Sequence, residues 1–145
     1  MSRKRLESIG RERLRKIVEQ TNLTVTALAE RCNVTRSGFN VWLLKGKLPI
    51  EQLEKILVIA AFNDAEIDDK PQPIHLGDKD FIPDFIVTPS GASSSLTVEV
   101  KPNGINLLQV DMLKNVGVDA VVFLEGDKVN KVMLEKKSAS SDENR

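Results

Sequence analysis

At 145 residues and 16.1 kDa, the chain has room for one ordinary domain or two very small ones with thin cores. It holds no Tyr, one His (His75) and one Cys (Cys32), which excludes a Cys/His zinc finger, a tyrosine nucleophile and an intrachain disulfide. The formal net charge of zero hides a division: residues 1–62 carry 12 Lys and Arg against 6 Asp and Glu, and residues 63–145 carry 9 against 15. A basic half joined to an acidic half fits a nucleic-acid-facing module beside a module with another task, the plainer alternative being two halves that attract each other. The lone cysteine, a charged start from Met1 to Arg5 without an apolar signal region, and the lack of ~18 apolar residues in a row set the expectation of a soluble, cytoplasmic protein with no membrane partner.

In chain order, apolar residues from Leu6 and Ile9 through Leu14, Ile17 and Val18 recur at helical spacing among Arg and Lys, predicting a basic first helix that ends near Thr21-Asn22. Thr24 is suited to cap a short second helix beginning at Val25, because its hydroxyl can accept from free first-turn amides. After a turn at Asn33-Val34, Thr35 caps a third helix, Arg36 to Lys45, stopped by Gly46 and followed by Pro49. A fourth helix, Ile50 to Phe62, closes the bundle through Leu53, Ile56, Leu57 and Ala60.

Two short helices joined by a turn of three or four residues have the geometry of a helix-turn-helix, whose second helix enters the DNA major groove. Over about residues 10–62 the pattern of Thr24, Leu28-Ala29, Val34-Thr35, Ser37, Phe39, Trp42, Gly46 and Pro49 resembles the Cro/repressor class of helix-turn-helix domains. The resemblance implies a small core of Leu28, Ala29, Val34, Phe39 and Trp42. It also implies an exposed recognition face of Thr35, Arg36, Ser37, Asn40 and Val41, with Lys45 and Lys47 near phosphates. Two departures are Asn33, where the class often has Gly, and Gly38 inside the recognition helix. Arg36 suits a guanine edge and Asn40 an adenine edge, and the lysines add salt-dependent affinity for the backbone. A bundle that binds protein rather than DNA is the rival reading.

Residues 63–80 read as a polar connector, with Asp64, Glu66, Asp68, Asp69 and Lys70 leading to Pro71 and Pro73. His75, between Ile74 and Leu76, reads as an ordinary strand residue. The period then shortens to that of strands at Phe81–Val87 and Leu96–Lys101, around a Gly/Ser-rich turn. A helix from about Ile105 to Val116 follows, then strands Asp119–Leu124 and Val129–Leu134 around Glu125-Gly126-Asp127, while 136–145 reads as a disordered polar tail. The expected fold class is therefore α+β in two small domains: an N-terminal all-α bundle over 1–62 and a C-terminal mixed α/β sheet over 81–135.

Glu99 and Lys101, two apart on a strand, project from one face, opposite Val98 and Val100. If the two strands form an antiparallel hairpin, Asp84 approaches Glu99, and paired carboxylates favour a hard cation such as Mg²⁺. Lys101 would position water or offset charge in a phosphodiester transition state. The plainer reading makes all three solvated surface charges of little energetic weight, and Pro83 an edge-strand proline.

Pro83-Asp84, fourteen intervening residues and Glu99-Val100-Lys101 match the PD-(D/E)XK nuclease signature. With Pro102-Asn103-Gly104, Gln109, Gly117 and the strand Ala120-Val121-Val122-Phe123, residues 81–134 resemble the small viral-type replication and repair nucleases (VRR-NUC). The resemblance implies a restriction-endonuclease-like sheet with Asp84 and Glu99 as ligands of Mg²⁺ or Mn²⁺ and the Val100 carbonyl as a third. Lys101 becomes the catalytic cation, and Gln109 supports the site or faces phosphate. Family members usually carry a further acid on a preceding helix; Glu51, Glu54 or Glu66 is left for that place, and spacing does not choose among them. The expected function is a metal-dependent DNA endonuclease recruited by its helix-turn-helix, acting as a homodimer. The alternative is a transcriptional regulator or DNA-recruiting adaptor with a silent nuclease-like domain, or a subunit working with other recombination, transposition or repair proteins.

Overall fold

The computed structural model describes residues 6–76 and 78–134. A three-residue strand β1 (Leu6–Ser8) precedes helix α1 (Arg11–Glu19), followed by α2 (Val25–Arg31), α3 (Arg36–Lys45), strand β2 (Lys47–Pro49) and α4 (Ile50–Ala61). Thr24 caps α2 by accepting from the Ala27 amide at 3.1 Å, and Thr35 caps α3 by accepting from the Gly38 amide at 3.0 Å. A Cβ at Gly38 would lie 3.3 Å from the Thr35 hydroxyl, so the helix-weakening glycine leaves that cap room. Asn33, in the turn between α2 and α3, has φ of 59°, the left-handed conformation that glycine or asparagine tolerates. Leu28, Ala29 and Phe39 are buried; Trp42 is half-buried against Phe39 with ring centroids 5.3 Å apart.

The expected helix from Leu6 is corrected. Gly10, at φ of 91°, separates Leu6–Ser8 from α1, and those residues pair antiparallel with β2 instead. Residues 1–62 are therefore not all helical. The junction is tight at Gly46, whose carbonyl accepts from the Ile9 and Gly10 amides.

The stretch 63–80 also differs from a plain connector. It contains β3 (Glu66–Asp68) and an antiparallel hairpin of β4 (Ile74–Leu76) and β5 (Lys79–Phe81). Next come β6 (Phe85–Thr88), β7 (Leu96–Lys101), α5 (Leu107–Asn115), β8 (Ala120–Glu125) and β9 (Lys128–Met133). Among the described residues there are five helices and a five-stranded mixed sheet in the order β3-β6-β7-β8-β9; β7 and β8 are parallel and the other neighbours antiparallel. The expected single strand 81–87 breaks at 82–84, between β5 and β6. The expected tail at 136–145 and the charged start at 1–5 lie outside the described residues.

Helix α4 explains why helices and sheet share one core. Ile56, Leu57, Val58 and Ile59 are consecutive and all fully buried, which a helix with one apolar face cannot achieve. They join the bundle residues Leu14, Ile17, Leu28 and Phe39 to the sheet residues Phe85, Val87, Val98, Val100, Ala120 and Val122 in one continuous cluster. Polar contacts tie the same elements. Arg13 donates to the Gly126 carbonyl at 2.7 Å, Gln20 to the Asp127 carbonyl at 2.7 Å, and Lys131 to the Ala61 carbonyl at 2.9 Å. Helix α5 packs on the sheet through a smaller cluster of Val110, Leu113, Val116, Val118 and Val121. Asp119 is half-buried and accepts from the Thr97 amide and hydroxyl, both at 2.8 Å. Among the described residues, no helix is long and apolar enough to cross a membrane.

Candidate functional site

The β6–β7 backbone ladder ends at the pair Phe85–Val98. One position further, two side chains replace it: the Asp84 amide donates to Glu99 Oε2 at 2.8 Å, and the Val100 amide donates to Asp84 Oδ2 at 2.9 Å. Buried amides need acceptors where strands part, and here the two carboxylates supply them. Each hydrogen bond occupies one carboxylate oxygen and leaves the other on the same residue for a further partner.

Burial and mutual repulsion set the electrostatics. Glu99 is 8% exposed, and its pKa is pushed up to about 7, first by burial and then by the charge of Asp84; the Asp84 amide and Lys101 act against the rise. Burial raises Asp84 as well, opposed by the Val100 amide and Lys101. On α4, burial lifts Glu54 to about 7, with Asp84, Glu99 and Glu51 adding to the rise and Lys101 opposing it. Lys101 thus acts on all three acids, and its single positive charge does not balance theirs.

Of the three helix or connector acids open in sequence, Glu54 is the one coupled to both Asp84 and Glu99. Glu51 is exposed on the rim, and Glu66 lies in β3 opposite Thr88, in a different hollow. Sequence periodicity could place Glu54 on α4 but not reveal that α4 lies against the sheet beside Asp84. Gln109 closes a capping box at the start of α5: its Oε1 accepts from the Asn106 amide at 3.1 Å, while the Asn106 side chain accepts from the Gln109 amide at 2.9 Å.

Asp84 and Glu54 line a cleft of about 630 Å³ whose other walls include Cys32, Asn33 and Val34 from the α2–α3 turn, and Lys55 and Lys70. The two lysines had no signal in the motif pattern. Lys55 also pairs with Asp69 at 3.3 Å. A larger hollow of about 800 Å³, lined by Arg31, Lys55, Glu66 and Asp68 among others, contains none of the three acids, whereas the smaller one is lined by Glu54 and Asp84. Burial pushes the Cys32 thiol up to about 11, which keeps it protonated and unreactive.

The donor chemistry suits a hard divalent cation: oxygen ligands only, with excess negative charge in a partly desolvated place. Among the described residues, no three His, Cys, Asp or Glu side chains are arranged to hold a metal ion. Asp84 and Glu99 form a smaller pair of carboxylates linked through the Asp84 amide, with Glu54 as an electrostatic neighbour.

The residues expected to face DNA are all exposed. Thr35, Arg36, Ser37, Asn40 and Val41 are exposed at the start and middle of α3, and Lys45 and Lys47 are exposed around its end. Val41 is 45% exposed. Compared with protein families, with curated proteins and with solved structures, the chain matches none.

Proposed function

We propose that the chain is a DNA-binding, metal-dependent endonuclease in which a Cro-type helix-turn-helix recruits duplex DNA and a restriction-endonuclease-like sheet of the PD-(D/E)XK type hydrolyses its backbone. The observation that supports this reading best is the reciprocal bonding of Asp84 with Glu99 and Val100, joined by Glu54 and Lys101 in one electrostatic group. Surface charges with no joint task have no reason to share a buried corner, because each adds to the others' desolvation cost.

Asp84, Glu99 and the Val100 carbonyl would hold Mg²⁺ or Mn²⁺. When bound, such an ion supplies polarisation of a phosphoryl oxygen and a more acidic water. Lys101 offsets the negative charge that grows on the phosphate oxygens, and Glu54, with its pKa near neutrality, is suited to hold or release a proton beside them. Gln109 has its amide nitrogen left to face phosphate while its oxygen caps α5. Arg36 and Asn40 read base edges, and Lys45 and Lys47 hold the backbone. A homodimer belongs to the proposal, since one chain offers one such centre and a duplex has two strands.

The test is cleavage of labelled linear, supercoiled and branched DNA with Mg²⁺ or Mn²⁺. Cutting should disappear in Asp84→Ala and Lys101→Ala while gel-shift binding persists, and binding should disappear in Arg36→Ala with Asn40→Ala. Intact DNA under all conditions would remove the catalytic half. The second reading, a regulator or adaptor whose sheet is catalytically silent, has in its favour that the described residues form no three-side-chain metal group.

A further inference from the structure

The cleft that holds Glu54 and Asp84 is walled on one side by Asn33 and Val34, the turn that leads into α3. From Asn33 to Arg36 is three residues, so their Cα atoms are at most about 11 Å apart. Arg36, the first residue of α3, is thus held within about 11 Å of a residue that lines the cleft together with Asp84.

Nothing slack intervenes. The turn, α4 and the sheet belong to one hydrophobic cluster, and α1 and α4 are bonded to the β8–β9 hairpin. The N-terminal end of a recognition helix is the part that reaches base edges, and the flanking strand backbone passes beside it. That same end of α3 follows directly on Asn33 and Val34 in the cleft wall, which Lys70 also lines.

We infer that a duplex read by α3 runs directly across the mouth of the Glu54–Asp84 cleft, so that this centre addresses one fixed backbone position within about one helical turn of the bases that α3 contacts. A module on a flexible tether would instead reach many positions on either side. This deepens the proposed function and rests on its DNA-binding half, not on cleavage.

A tethered chelate tests the geometry without relying on native activity. The binding sequence is first selected from a random duplex pool with the full chain. Asp84→Cys, and separately the rim variant Glu51→Cys, is then labelled with an iron chelate, buried Cys32 being spared, and hydroxyl-radical scission of the bound duplex is mapped. Both tethers are expected to give one window narrower than about 10 base pairs that overlaps or adjoins the selected sequence. If the Asp84→Cys protein does not fold, the Glu51→Cys map decides alone. Scission spread over both flanks, or centred more than about 15 base pairs away, would overturn the inference and leave the nuclease reading standing. Failure to select any sequence would overturn it together with the DNA-binding half. A sharp window on DNA that the unlabelled chain leaves uncut with Mg²⁺ would uphold the inference and remove the catalytic half.

Discussion

Replacing Glu99 by Gln removes a charge that the folded chain holds at a disadvantage, while keeping an oxygen to accept from the Asp84 amide. The ordinary value of 4.5 rises to about 7 in the fold. Below pH 4.5 both folded and unfolded chains carry the proton; between 4.5 and 7 the unfolded chain loses it first, so stability falls as pH rises, and above 7 the loss is complete. At about 1.4 kcal/mol for each unit the ceiling is about 3 kcal/mol, and because solvent reaches the adjoining cleft the realised difference is about 1–2 kcal/mol. Glu54 contributes in the same direction, and its own rise shrinks when Glu99 is neutral, since Glu99 is one of its causes. Urea unfolding followed by the fluorescence of Trp42 at pH 4 and pH 8 measures the effect. Glu99→Gln is expected to match the parent at pH 4 and to exceed it by about 1–2 kcal/mol at pH 8. Parallel pH profiles for the two proteins would refute the reasoning, because they would mean that Glu99 is not charged at a cost.

Ile56→Ala should cost about 2–5 kcal/mol, since Ile56 is fully buried between bundle and sheet. Its unfolding by Trp42 fluorescence, which reports on α3, and by far-ultraviolet circular dichroism should remain coincident; two separated transitions would contradict a continuous core. Gly46→Ala should destabilise by more than about 1 kcal/mol. Gly46 has φ of 66°, and a Cβ there would stand 2.5 Å from backbone atoms of Gly10 and Arg11, so a neutral result in thermal unfolding would argue against the β1–β2 junction as described.

Sequence pattern revealed those elements whose signals are local. The caps Thr24 and Thr35, the helix stop at Gly46 and the alternation of Leu96–Lys101 each act within a few residues, and β7 spans the residues that the alternation marked. The three-residue strands β1, β2 and β3 carry no such signal, because so short a ladder is stabilised by its partner and not by its own composition, whereas His75 between two apolar residues marked β4. For the same reason Leu6 and Ile9 read as helical although Gly10 divides Leu6 from the helix. Helix α4 was visible as a helix, but its burial on every side follows from the sheet docking against it, a tertiary fact. The Asp84–Glu99 approach was legible from hairpin spacing alone. Choosing Glu54 over Glu51 and Glu66 was not, since it depends on how α4 rotates above Asp84.

On the proposed function, Asp84 and Glu99 form a place with too much negative charge for Lys101 to balance, and a divalent cation completes it. Calorimetric titration of Mn²⁺ into the chain at pH 7.5, with and without duplex DNA, measures this most directly. Uptake of one ion per chain is expected, and it should disappear in Asp84→Ala and in Glu99→Ala. No uptake even with DNA present, or uptake unchanged in both variants, would contradict it.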